Sequence, residues 1–236
     1  LIAFLVYQGA REYVTLITLE PLCIPLISLG GLLTLFSLLF FGNSILLIAP
    51  IIAFFACSLI ALFSIERGLP IEKGISLAFL GFWGYLYIAW LPVHLLAIAL
   101  GHLPTLLLTL GLGVALSDIG AFCLGKLFKG PKLAPNLSPA KTWSGLLGNF
   151  CGALAAVVLT RPLFPALSLW QILLISLLIA LGSVWGDLLE SLLKRYRGVK
   201  AAGTLLPGFG GLLDRIDSLL LVAPLLYYLS QWLFAH

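Results

Sequence analysis

The chain has 236 residues, of which 61% are hydrophobic and 9% charged, with a net charge of +4 and a mean hydropathy of +1.16. A soluble domain of this length carries about 45–50% apolar and about 25% charged residues, so a soluble domain is excluded and an integral membrane protein is expected. Long unbroken apolar runs, in place of short alternating ones, exclude a β-barrel and require helices.

In chain order, residues 1–8 read as the tail of a span, beginning on Leu1 in a chain without methionine. A natural start lying outside the sequence, or an altered chain, is the expectation, and no cleavable signal peptide is recognised. Seven apolar stretches follow, at about 22–41, 44–63, 75–100, 104–126, 142–160, 170–193 and 217–234. The expected fold is all-α: a polytopic transmembrane helical bundle of about seven full spans plus a partial N-terminal span, forming a single domain over 1–236. No linker and no internal repeat is visible. Trp90, Trp170 and Trp232 fall near span ends, as interfacial anchors do.

Cys23, Cys57, Cys123 and Cys151 are scattered singly without CxxC spacing and read as small apolar side chains. His94, His102 and His236 are too dispersed to act together as ligands. Of the 13 Lys and Arg, nine (Lys126, Lys129, Lys132, Lys141, Lys194, Arg195, Arg197, Lys200 and Arg215) lie in or beside two loops separated by two spans. Those loops emerge on one face, and the positive-inside rule makes it the cytoplasmic one. Binding of nucleic acid is set aside, because there is no soluble basic domain to carry it.

Three segments concentrate charge that is costly beside hydrocarbon and therefore marks function. In GSVWGDLLESLLKR, the residues Ser183, Asp187, Glu190, Ser191 and Lys194 recur at spacings of three and four, forming one polar stripe on a helix. A hydrogen-bonding seam between helices is the bland alternative for that stripe. In PGFGGLLDRIDSLLL, Pro207, Gly208, Gly210 and Gly211 allow close backbone approach to a ligand, and Asp214 and Asp217 share a face near a helix start. Helix capping explains either aspartate alone; both together with Asp187 would suit Mg²⁺, which favours oxygen ligands and substrate phosphates. The third segment holds Asp118 inside a span, then Lys126, Lys129, Lys132, Ser138, Lys141 and Thr142 in a loop expected to be stiff and irregular through Pro131, Pro135 and Pro139. A solvated loop accounts for those lysines equally well.

The pattern S-x-x-K-R-x4-K…P-G-x-G-G-x-x-D-R-x-D, carried by Ser191, Lys194, Arg195, Lys200, Pro207, Gly208, Gly210, Gly211, Asp214, Arg215 and Asp217, closely resembles the signature of the CDP-diacylglycerol synthases, or phosphatidate cytidylyltransferases. The blocks Asp118–Phe122, Lys132–Pro135 and Ser138–Trp143 resemble further family segments in the same order. Arg11-Glu12-Tyr13 resembles the family's early cytoplasmic turn, which would put an N-terminal span or two before this sequence. The resemblance implies transfer of CMP from CTP to phosphatidic acid, giving CDP-diacylglycerol and pyrophosphate, at a cytoplasm-facing site in a bacterial inner or cell membrane. It further implies Mg²⁺, with a monovalent cation such as K⁺ as a second metal, membrane lipids as surroundings and a homodimer as the assembly.

Carried over by motif, Asp187, Asp214 and Asp217 are the expected metal ligands and, with Lys200, the expected catalytic set. Lys194, Arg195, Arg215, Ser191, Lys141, Gly210, Gly211 and Asp118 are the expected substrate-binding set. Three positions depart from the family: Ala201 stands for Asp, Phe209 for His and Ser144 for Glu. They motivate a second reading, an impaired or redesigned relative that keeps the fold. A CTP-dependent lipid-alcohol kinase shares parts of the logic, and a transporter of a phosphorylated anion is the third reading, disfavoured by the lack of a repeat.

Overall fold

The computed structural model describes residues 1–17, 23–101, 104–164, 167–199, 201–203, 205 and 210–234. Nine α-helices are found among them: α1 (Ile2–Ile17), α2 (Cys23–Phe41), α3 (Ile45–Glu66), α4 (Ile71–Gly84), α5 (Leu91–Leu100), α6 (Leu106–Phe128), α7 (Trp143–Thr160), α8 (Leu169–Arg197) and α9 (Leu213–Phe234). A π-helical turn, Tyr85–Trp90, joins α4 to α5. Six helical segments are long and apolar enough to cross a membrane, counting Cys23–Glu66 as one piece that bends through Gly42–Ser44. Its two halves, of 19 and 22 residues, are each long enough to span. Large side chains such as Phe40, Phe55, Phe79 and Trp185 are exposed on these helices, the surface that hydrocarbon would cover. The chain is thus an all-α integral membrane protein.

The residues group into two compact units, Leu1–Ala97 with Tyr196–Leu213, and Ile98–Arg195 with Asp214–His236. In the first, α1 packs on α2 and α3 on α4. Long-range hydrogen bonds join its elements: Tyr13 donates to the Leu80 carbonyl at 2.9 Å, and Trp90 to that of Leu46 at 2.8 Å. Trp90 thereby ties its turn to α3, while Trp170 and Trp232 lie exposed with ring centroids 5.9 Å apart.

In the second unit, α6 and α7 approach at backbone distance. A Cβ on Gly148 would lie 2.1 Å from the Gly120 carbonyl oxygen, and one on Gly152 would lie 2.0 Å from that of Leu116. Small residues let helices meet this closely where lipid provides no hydrophobic drive. Between α6 and α7 the chain forms a hairpin, β1 (Lys132–Ala134) antiparallel to β2 (Ser138–Thr142), with Lys132 opposite Thr142 and Ala134 opposite Ser138. The expected irregular loop is corrected here. Pro139 is compatible with the ribbon, because each strand of a two-stranded ribbon has an open edge that needs no N–H. Thr142 ends β2 and caps α7, its Oγ1 accepting from Gly145 N at 3.1 Å.

Two helices outrun their apolar stretches. α8 continues past 193 to Arg197, since Leu, Lys and Arg all propagate a helix, and stops before Gly198 at φ 74°. α9 begins at Leu213 rather than 217, so Lys194, Arg195, Asp214 and Asp217 all stand on helices.

Replacing Gly152 by Ala forces a Cβ onto a backbone oxygen that no rotamer change can move, and about 1–3 kcal/mol of stability should be lost. Gly111→Ala, with nothing within 4 Å, is the neutral control. Thermal unfolding in detergent reads both.

Candidate functional site

The site grows from a second close helix approach. A Cβ on Gly186 would lie 2.5 Å from the Asp217 carbonyl oxygen and 2.7 Å from Ser218 Cα, so α9 rests directly on α8 at this point. Asp187, the next residue, is thereby within reach of α9. Ser218 donates to Asp187 Oδ1 at 3.0 Å and lies 3.2 Å from the Ser183 carbonyl. The Asp187 and Asp217 carboxyls stand side by side. Lys141, arriving from β2, places its Nζ 2.7 Å from Asp187 Oδ2 and 3.3 Å from the Val184 carbonyl. Asp118 on α6 joins through Ser183, which donates to its Oδ1 at 3.3 Å.

One helical turn further along α8 and α9 lies a second group. Lys194 bridges Glu190, its i−4 neighbour, and Asp214 Oδ1 at 3.0 Å. Glu190 is 3% exposed, and its Oε1 has no hydrogen-bond partner among the described residues. Leaving a carboxylate oxygen buried and unsatisfied is costly unless something else completes it.

Between the hairpin and helices α6, α7 and α8 opens a cavity of about 620 Å³, lined by Asp118, Lys126, Lys129, Lys132, Lys141 and Asp187. Asn149, 2% exposed, also lines it, and its Oδ1 has no partner among the described residues. The cavity sets ammonium groups beside carboxylates and an unmet amide oxygen, a combination able to receive a polyanion together with a hard cation. Among the described residues, no group of three or more His, Cys, Asp or Glu is set to hold a metal ion. The oxygen donors meet in smaller numbers, Asp187 beside Asp217 and Glu190 across Lys194 from Asp214.

The residues expected from sequence distribute as follows. Asp187, Asp217, Lys141 and Asp118 come together, whereas Asp214 belongs to the Lys194–Glu190 group. Arg195 is turned to the hairpin, its Nε donating to the Leu137 carbonyl at 3.2 Å. Ser191 is half-buried on α8 and Arg215 is exposed on α9. Gly211 is buried in the first unit, where a Cβ would meet the Glu12 carboxylate, and Gly210 adopts φ 88°. Lys200 lies outside the described residues, as do Pro207, Gly208 and Phe209. Ser144 braces the hairpin base, donating to the Lys129 carbonyl at 3.0 Å. Asn149 and Ser218 were missed as site residues, though a lone amide in the apolar α7 run is itself a signal. Glu190 was visible in the polar stripe but not singled out.

A model described as the cytidylyltransferase family matches residues 1–233. The phosphatidate cytidylyltransferase of Brucella suis biovar 1 is 47% identical over 111 residues, 47% of this chain and 41% of that protein. The phosphatidate cytidylyltransferase of Staphylococcus haemolyticus is 41% identical over 114 residues, 48% of this chain and 44% of that protein. A similar match, 42% over 116 residues, is to an uncharacterised Escherichia coli protein, YnbB, covering 49% of this chain and 39% of that one. The matched segment is less than half the length of each of these relatives.

Lys141→Met and Asp187→Asn should each destabilise the protein, and the double variant should cost less than their sum by about 0.5–3 kcal/mol, the coupling of a partly buried pair. Denaturant titration of the four proteins in detergent measures it; strict additivity would mean the 2.7 Å contact contributes nothing.

Proposed function

Because the chain belongs to the cytidylyltransferase family, we propose that it transfers CMP from CTP to phosphatidic acid, forming CDP-diacylglycerol and pyrophosphate. The observation that carries the reading is the cavity in which Lys126, Lys129, Lys132 and Lys141 meet Asp118 and Asp187, in a chain where 9% of residues are charged. The names borne by the Brucella and Staphylococcus relatives support it.

In this reaction a phosphate oxygen of the lipid attacks the α-phosphorus of CTP, and the bond to the β-phosphate breaks as pyrophosphate leaves. Two anions must come together, so the chain's contribution is positioning and charge. The lysines of the cavity hold phosphate oxygens. Lys141 also keeps Asp187 turned toward Asp217. Lys194 fixes Asp214 and Glu190 on facing helices, and Arg195 anchors the hairpin that carries three of the basic groups (Lys132, Lys141 and, at its foot, Lys129).

The oxygen donors present fit a hard cation. Asp187 and Asp217 would hold Mg²⁺, with remaining ligands from water and phosphate, the usual manner for this ion, which supplies neutralisation of charge on the reacting phosphates. Glu190 Oε1, without a partner among the described residues, is where a second cation such as K⁺ would find a donor. The reading places the cavity's face toward the cytoplasm by the distribution of Lys and Arg, and takes a homodimer as the working assembly.

A second reading, a relative that keeps the fold without the reaction, is favoured by Ser144, which is engaged with the Lys129 carbonyl where the family pattern has Glu. One assay separates the two: CTP and phosphatidic acid in detergent micelles with Mg²⁺ and K⁺, following pyrophosphate and CDP-diacylglycerol. The folded wild type should form product, and Asp217→Asn should reduce the rate about 100- to 1000-fold. Absence of product from folded protein, recovered by Ala201→Asp, Phe209→His and Ser144→Glu together, would establish the second reading instead.

A further inference from the structure

Glu12 lies on α1, 5% exposed, and takes no part in the cavity or in either carboxylate group described above. Its oxygens are spent on backbone some 200 residues away. Leu212 N donates to Oε1 and Leu213 N to Oε2, both at 2.9 Å, and Gln8 Nε2 donates to Oε1 at 3.2 Å. The carboxylate also occupies the space that two absent side chains leave. A Cβ on Gly203 would fall 2.9 Å from Oε1, and one on Gly211 would fall 2.6 Å from Oε2 and 2.6 Å from Gly203 N. Gly203 and the stretch 211–213 thus close on this single side chain.

Helix starts are ordinarily satisfied by the residue just before them, through a short polar side chain. Leu212 stands there and has none to offer. A charged group from another helix does the capping instead, with two charge-assisted bonds to amides at the positive end of the helix dipole. Burying a carboxylate is tolerable only while those donors are all in place, so the arrangement penalises any displacement of the Leu212 and Leu213 amides. The helix it starts carries Asp214 and Asp217 as its second and fifth residues.

We propose that Glu12 is a positioning residue for the nucleotidyl transfer: its carboxylate fixes where α9 begins and holds Gly203 and Gly211 against it, without touching substrate. The kinetic part of this inference rests on the proposed activity; the ordering part does not, and the two are tested separately.

Glu12→Gln keeps the size and one acceptor oxygen but sets an amide N–H₂ against a backbone N–H. Turnover should fall about 10- to 100-fold, the usual consequence of losing a group that orients reacting ones. Amide exchange in peptides covering Leu212 and Leu213 should quicken about tenfold, as expected for one lost charged hydrogen bond, with the rest of the protein unchanged. Gly203→Ala, whose nearest new contacts are all Glu12 atoms, should slow the enzyme, and add nothing in a Glu12→Ala background. Full turnover by Glu12→Gln in an active wild type would overturn the inference, as would additive losses in the double variant. An inactive wild type defeats the proposed reaction alone; exchange then decides, with unaltered Leu212–Leu213 protection overturning the ordering role. Should Glu12→Gln unfold globally, exchange and turnover of Gly203→Ala carry the same test, and wild-type behaviour there overturns it.

Discussion

Charge beside hydrocarbon is the constraint on which the rest of this molecule depends. Each ionised group drawn into an apolar bundle must find a partner or a wet cavity, because desolvation otherwise exceeds anything packing returns. Asp187 meets Lys141 and Ser218, Asp214 and Glu190 meet Lys194, and Glu12 meets two backbone amides. Each of these ties elements distant in sequence, so a few polar contacts determine where helices end and which faces turn inward. Two buried oxygens without a hydrogen-bond partner among the described residues, Asn149 Oδ1 and Glu190 Oε1, occur next to or among the same carboxylates and lysines.

Glycine makes those contacts reachable. Without a Cβ at 186, the α9 backbone comes against α8, and Asp187 is brought to Asp217 and Ser218. The same device at 148 and 152 presses α7 onto α6, which holds the hairpin between them and with it Lys141. At 203 and 211 it admits a carboxylate in place of a side chain. In lipid, where apolar side chains gain little by leaving one another's neighbours, backbone proximity and hydrogen bonding decide association. The polar contacts and the packing are therefore set by the same few positions.

Two of the departures from the family pattern lie among the described residues, and they differ in what surrounds them. Ser144 has found a structural use, bonding the Lys129 carbonyl and lying 3.0 Å from Thr142 Oγ1. Ala201 is exposed and removes an ionisable group without leaving a hole. Neither change disturbs the Asp187–Lys141 or the Lys194–Asp214 contacts, which explains how the fold accommodates them.

Composition and periodicity alone determined that the chain is a helical membrane protein, since an apolar run of some twenty residues has no other stable form in lipid. The i, i+3, i+4 spacing of Ser183, Asp187, Glu190 and Lys194 likewise showed a single polar stripe, because helix geometry is local. What spacing leaves open is which helix the stripe faces. Only the tertiary structure decided that Asp187 pairs with Lys141 while Asp214 goes to Lys194, separating carboxylates that the motif presents as one set. It alone turned a proline-rich loop into a hairpin and brought Glu12 to Leu212 and Leu213. These are contacts between segments far apart in the chain, governed by where small residues let backbones meet, and no local pattern encodes the partner.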